Sequence, residues 1–302
     1  MGLDVGPPQY LIQPSYDNKL GFFERLDLVL QNDAIFRNQN VDWSWGTSSF
    51  DYKRGLLDML TGIFPKTKEE GGMFKEGART LQFLNSVPKG STWLLKDPRL
   101  CISLRSWLPL LPSLPAIVFS YRHPLQVAES LLTREQFPLL RGLKVWISYN
   151  RAAIQNSQGL CRVVTSNQAL MRDGKGEMGR IGQELRSHCG VAVPHDISPK
   201  DLSTFIQPSL QHKSNATTTV ASGSGSECGW SEEEMGKFRF NNEKMIFKAA
   251  IKLYCAIEDR SAFLPDFQFP PVKDIWQFYV KNNCNILVFL SSELCVQIII
   301  LL

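Results

Sequence analysis

The chain has 302 residues, 43% of them hydrophobic and 21% charged, with a formal net charge of +4. That length suits one substantial α/β domain with an appendage. The charge is too weak to argue for a nucleic-acid partner, although converging cations could still form a local pocket for an anion. Seven cysteines and four histidines are scattered, with no CxxC, no Cys/His ladder and no metal-ligand spacing. They read as reduced thiols in a core rather than as a disulfide framework or a metal centre.

Residues 1–15 lack the basic start and apolar run of a secretory signal, and Gly6 stands where a myristoylation motif wants Ser or Thr. Gly21 to Arg37 then shows helical spacing, with Asp17 or Asn18 as cap. Phe50 to Ile63 and Met73 to Asn85 are further helical stretches, and Val87 to Gly90 is a turn. Two short buried strands follow, Thr92 to Lys96 and Ala116 to Tyr121, with a helical segment between them. Continuous apolar runs of this kind are what parallel strands look like when both faces are covered. Helices are predicted over Leu125 to Arg134, Leu139 to Gln158 and Gly176 to Cys189, and a third buried strand over Leu160 to Thr165. This alternation predicts a doubly wound parallel sheet.

Composition divides the chain into a core over 1–212, a flexible linker or loop over 213–229, a C-terminal helical part over 230–265 that packs back on the core, and a tail over 266–302. The stretch from Ile286 to Leu302 is strongly apolar but interrupted by Ser291, Ser292, Glu293 and Gln297. It falls short of the roughly 20 apolar residues that span a bilayer. A membrane tether is the lesser reading; a buried β-rich hairpin, or sequence foreign to the domain, is favoured.

The chemistry concentrates between Trp93 and Arg151. Arg122 follows the carboxyl end of a buried strand, where ligands of open α/β sheets bind, and Ser130 lies eight residues on in the next helix. A guanidinium fork and a hydroxyl brought together there would suit a phosphate. The plainer reading is an Arg salt bridge and a Ser on a solvent face. Lys96-Asp97-Pro98-Arg99 ends the first strand at the same rim.

Arg122 and Ser130, within Ser120-Tyr-Arg-His-Pro and the following Val-Ala-Glu-Ser-Leu, match in type and spacing the 3′-phosphate-binding segment of the sulfotransferases. The later Trp146-Ile-Ser-Tyr-Asn-Arg-Ala, the stretch Asp17 to Trp43 and Phe205 to His212 resemble a large branch of that family, so the likeness runs over roughly residues 10–265. The resemblance implies a P-loop-like doubly wound fold. It also implies 3′-phosphoadenosine 5′-phosphosulfate as co-substrate, no metal, and sulfuryl transfer to an acceptor hydroxyl or amine. On that reading Arg122 and Ser130 hold the 3′-phosphate, Lys96 stabilises the leaving oxygen, and Asp97 is the candidate base. The family places a Lys followed by a His base at this strand end, and no His stands in this segment. The alternative for Asp97 and Arg99 is a structural ion pair.

The family grips the 5′-phosphosulfate with a strand, a loop carrying Lys or Arg then Ser-Gly-Thr, and a helix N-terminus. This element is expected upstream of Asp17 and is missing from the sequence. Trp45-Gly-Thr-Ser-Ser49 is a decoy, since no apolar strand or basic residue precedes it. The first strand of such a sheet is internal. Its loss leaves backbone groups unpaired, each costing about 1–3 kcal/mol if dry. The tail from Ile286, a partner chain, or nothing at all would answer for the gap, and a truncated gene product is the reading favoured. A non-catalytic paralogue that binds adenosine 3′,5′-bisphosphate, or an interaction module, is the second hypothesis. A nucleotide kinase is disfavoured because the Walker loop is missing too. His123 is expected to face solvent, and Trp146 and Tyr149 to lie in the core. Asn215-Ala-Thr217 is a glycosylation sequon, relevant only to a secretory chain.

Overall fold

The computed structural model describes residues 3–14, 21–61, 74–86, 91–193, 228–270 and 297–301. The chain is α/β. Helix α1 spans Leu26–Arg37, starting later than its apolar spacing predicts. Gly21 at φ +88°, Phe23 at φ +54° and an antiparallel bridge from Leu11 to Arg25 keep the preceding residues out of the helix. The expected caps Asp17 and Asn18 lie outside the described residues. Helices α2 (Tyr52–Thr61) and α3 (Phe74–Ser86) match their predicted stretches. Then come β1 (Leu94–Lys96), α4 (Leu100–Trp107) and β2 (Ala116–Tyr121).

Pro124 opens α5 (Pro124–Glu135), as suits a residue with fixed φ and no N–H to satisfy. Gln136 closes it in the left-handed region. Helix α6 (Leu139–Asn156) returns against α5. The two approach so closely at Gly142 that a Cβ there would stand 2.7 Å from Ala128 Cα. Strand β3 (Arg162–Ser166) leads into two helices, α7 (Asn167–Arg172) and α8 (Gly174–Ser187). Ser166 and Asp173 cap them, each side chain accepting a backbone N–H of the first turn. Only α8 had shown its periodicity in the sequence. A capping box formed by Ser231 and Glu234 starts the short α9 (Glu232–Gly236), and α10 covers Asn241–Glu258.

The strands form one sheet in the order β1-β4-β2-β3. Strands β2 and β3 are parallel, with Ile117 opposite Arg162 and Tyr121 opposite Ser166. Strand β4 (Gln297–Leu301) lies between β1 and β2, antiparallel to both. Ile299 is opposite Lys96 on one side and Val118 on the other. Strands β1 and β2 therefore point the same way. The apolar tail, one of the candidates for filling a gap in the sheet, thus supplies the strand between β1 and β2.

Side chains of β2 alternate between two covers, as the pleat requires. Ala116 and Val118 join Val163, Ile181 and Leu185 beneath α8. Ile117, Phe119 and Tyr121 join the larger core built from α1, α4, α5, α6 and α10. Phe247, Ile251 and Ile257 of α10 are buried in that larger core, so the C-terminal helix packs back as expected. Residues 213–227 of the expected linker lie outside the described residues.

The cysteine reading is overturned. Cys161 is disulfide-bonded to Cys189 and Cys228 to Cys255, while Cys101 is a buried thiol. The partners are 28 and 27 residues apart in sequence. They meet only because the turn after α8 returns to the start of β3, and the segment before α9 returns to α10. No short motif announces such pairs, and for this reason spacing alone missed them.

Candidate functional site

Lys96 ends β1 and Asp97 follows it, Arg122 follows the carboxyl end of β2, and Ser130 lies within α5. Arg122 leaves the end of β2 half-buried. Its Nε donates to Gln126 Oε1 at 3.0 Å, and its carbonyl accepts the Trp146 indole N–H at 2.9 Å. Among the described residues no carboxylate stands within ion-pair distance of Arg122. Gln126 and Ser130 are four residues apart on α5 and so share a helix face. Arg122 is thus tied to the face on which Ser130 sits, also half-buried. Spacing had marked Arg122 and Ser130; Gln126, one helical turn from each end, completes the row and had gone unremarked.

Lys96 and Asp97 belong to a different environment. Lys96 Nζ donates to Phe22 O at 2.7 Å and stands 3.0 Å from Glu24 Oε1. Glu24 is fully buried. Burial pushes its carboxyl up to about 7, against the opposing pull of Lys96. Asp97 is also fully buried. It accepts from Asn32 Nδ2 at 2.7 Å, from the Arg99 backbone N–H at 3.0 Å and from Arg99 Nη1 at 3.1 Å. Arg99 also bonds Asp33 at 2.5 Å. Burial by itself would lower the Arg99 pKa, but the Asp97 and Asp33 carboxylates outweigh it and hold it above its ordinary value. Asn32 Oδ1 accepts from Ser103 Oγ and Trp107 Nε1, both at 2.8 Å.

This network joins two stretches far apart in sequence. Glu24, Asn32 and Asp33 meet Lys96, Asp97 and Arg99, pair by pair. The ion pair between Asp97 and Arg99, weighed against a catalytic Asp97, is present. A base must reach the proton it takes, and the Asp97 carboxylate has no exposed surface. The Lys96 ammonium is committed to the Glu24 carboxyl group and the Phe22 carbonyl. Glu24 and Asn32 were missed as members of this cluster. The signal that could have found them is a charged or amide residue at an otherwise core-facing position of an apolar stripe.

The expectation that His123 faces solvent is corrected. It is 5% exposed, edge-on to the Tyr254 ring at 5.0 Å and 3.9 Å from Glu234. Burial lowers its pKa, opposed by the Glu234 carboxylate. Helix α9, invisible to periodicity because it has only five residues, supplies that cover. Trp146 and Tyr149 are fully buried, as expected of core residues. Arg151 has its guanidinium over Phe269, 5.1 Å from the ring centre. Thr47–Ser49 forms one 3-10 turn after Gly46 at φ +69°, without the strand before it that a phosphate loop needs. Asn215 lies outside the described residues.

Among the described residues no cluster of three or more His, Cys, Asp or Glu is arranged to hold a metal, and no helix is long and apolar enough to cross a membrane. Comparison of this chain with protein-family models, with curated proteins and with solved structures found no match.

Proposed function

We propose that this chain is a sulfotransferase-like protein that binds the 3′-phosphate of a 3′-phosphoadenosine nucleotide through Arg122 and Ser130, without carrying sulfuryl transfer. The fold behind this reading is a doubly wound, P-loop-like core in which β4 takes the central place of the first strand. The observation that carries it is Arg122 itself. It is a half-buried guanidinium just past the carboxyl end of β2, steered by Gln126 toward the helix face of Ser130 and lacking a carboxylate partner among the described residues. Such a fork favours a phosphate over water.

Three features weigh against the transferase reading, in which 3′-phosphoadenosine 5′-phosphosulfate gives up its sulfuryl group in line to an acceptor hydroxyl or amine. Lys96 is already paired with Glu24. Asp97 is sealed beneath Arg99 and Asn32. Strand β4 runs antiparallel to its neighbours, so its carboxyl end lies at the opposite rim from Arg122. A loop continuing from β4 could not cradle the 5′-phosphosulfate beside Arg122.

Calorimetric titration with adenosine 3′,5′-bisphosphate tests the proposal. Wild type should bind weakly and lose affinity as salt rises, because the attraction is largely ionic. Arg122→Ala should bind about tenfold more weakly or not at all, as expected for losing a hydrogen-bonded charge of about 1.5–3 kcal/mol. Equal affinities for the two proteins would remove Arg122 from the site. Measurable transfer from the phosphosulfate donor, with Lys96→Ala inactive, would restore the transferase reading.

A further inference from the structure

A second group of cations gathers away from Arg122, on the outer edge of the sheet. Strand β3 is an edge strand among the described residues. Its odd-numbered residues bond β2, beginning with the Ile117 N–H to Cys161 O at 2.8 Å, which turns the Arg162 and Val164 backbone outward. A cleft of about 410 Å³ opens there, lined by Arg162, Arg180 and Arg260 together with Glu184, Val164 and Phe263.

The three guanidinium groups differ in how they are neutralised. Arg180 is saturated: it pairs with Glu177 and Glu184, each at 2.6 Å, and donates to Val164 O at 2.8 Å. Arg162 donates only to neutral acceptors, Ile154 O at 3.2 Å and Ser157 Oγ at 3.3 Å. Arg260 donates to Ile257 O at 3.0 Å and Val164 O at 3.4 Å. Among the described residues neither has a carboxylate within ion-pair distance. Glu177 and Glu184 on α8 and Glu258 at the end of α10 are the carboxylates nearby, and the first two are committed to Arg180.

Capping the open edge of the sheet explains Arg180 and Arg260, which both donate to Val164 O; such edges need cover. It does not explain Arg162. That guanidinium lies 4.7 Å from the centre of the Phe263 ring, half removed from water, with its charge unanswered. A partly buried cation is stabilised by a counter-charge, and a planar fork suits the two oxygens of a carboxylate or phosphate.

We infer that this cleft binds a small oxyanion, a phosphate ester or a carboxylate, held between Arg162 and Arg260 above Phe263. The site is separate from the Arg122 rim and does not depend on the nucleotide reading.

The test is thermal-shift and calorimetric titration of the whole chain with inorganic phosphate and with citrate, each against sodium chloride of matched ionic strength. At least one of the two should raise the melting temperature of wild type and of Arg122→Ala alike. In the Arg162→Gln/Arg260→Gln double variant its affinity should fall about tenfold or more. Response to citrate alone assigns a carboxylate ligand, and response to phosphate alone a phosphate ester. Arg162→Lys keeps the charge but loses the fork. It should fold as wild type does and bind more weakly, which keeps the proposal testable if the double variant does not fold. An equal response of wild type and Arg162→Lys, a shift that chloride reproduces, or no response to either probe would overturn the site. Loss of the response in Arg122→Ala would reassign it to the first rim.

Discussion

Glu24 shows how a single buried carboxyl can write a pH dependence into the whole chain. It is fully buried, and its Oε2 has no hydrogen-bond partner among the described residues. The folded protein therefore keeps the proton up to about pH 7, whereas the unfolded chain releases it near the ordinary value of 4.5. A group that binds its proton more tightly when folded favours folding at low pH. Its contribution is greatest below pH 4.5 and declines as the pH rises to about 7, at most by about 1.4 kcal/mol per pH unit. Urea unfolding at pH 5, 6 and 7 should show that decline in wild type. In Glu24→Gln it should be flatter, with the variant gaining on wild type toward pH 7. Parallel pH profiles for the two proteins would show that Glu24 does not hold its proton in the folded state.

Two strand ends bounded by prolines mark where Lys96, Asp97 and Arg122 stand in the chain, and helical spacing places Ser130 on the helix after Arg122. They did not predict which would be available. Lys96, Asp97 and Arg122 look alike in sequence: each is a charged residue within a few positions of a buried strand. The difference lies in what reaches them from elsewhere. Helix α1 and the residues just before it bring Glu24, Asn32 and Asp33 onto Lys96, Asp97 and Arg99, and among the described residues no carboxylate comparably reaches Arg122. Partnership across dozens of residues has no local signature, and burial of a charge is decided by it.

Among the elements, the two disulfides do the most to hold distant pieces together. Cys161–Cys189 fastens the turn after α8 to the entry of β3, and Cys228–Cys255 fastens the segment before α9 to α10. Closing loops of 28 and 27 residues limits the unfolded chain, by about 3–4 kcal/mol each on a chain-entropy basis. Such bonds form and persist in an oxidising compartment. Alkylation without reduction, followed by mass spectrometry, should leave all four of these cysteines unmodified. Replacing Cys161 and Cys189 by Ser should lower the melting temperature by roughly 6–12 °C. Ready alkylation of Cys161 in the folded, unreduced protein would show that the bond is absent.

Helices α2, α3, α5, α6 and α8 were legible in the sequence to within a few residues, since each has a face that must be buried. Strand β2 was legible at both ends, bounded by Pro115 and by Arg122 before Pro124. The short helices α7 and α9 were not, since their caps rather than their periodicity define them. The start of α1 was misjudged because apolar spacing persists through residues 21–25, where positive φ angles at Gly21 and Phe23 rule out a helix.

At the scale of the molecule, the sheet depends on β4. Alternating strands and helices announced a parallel arrangement. They could not announce an antiparallel strand from the far end of the chain lying among them, because pairing register is a long-range property. Strand β4 has neighbours on both sides, so a defect in it disturbs two ladders. Proline cannot donate to a ladder and is poorly tolerated in central strands. Ile299→Pro, opposite both Lys96 and Val118, should cost about 1–3 kcal/mol for the backbone partner left unpaired and broaden thermal unfolding followed by circular dichroism. Ile299→Val keeps the backbone N–H and should leave the ladder intact. A proline variant that melts like wild type would mean that β4 does not lie between β1 and β2 in solution.

The arrangement also fixes a timetable. Strands β1 and β2 are synthesised long before the residues that join them, so the nascent chain carries two raw, facing edges through most of its production. Contacts of such long sequence separation form slowly, and bare edges of this kind invite aggregation while they wait. A chain that stops before Gln297 would carry every described helix but lack the strand between β1 and β2. Dependence on chaperones late in synthesis, rather than early, is the cellular signature to expect of this fold.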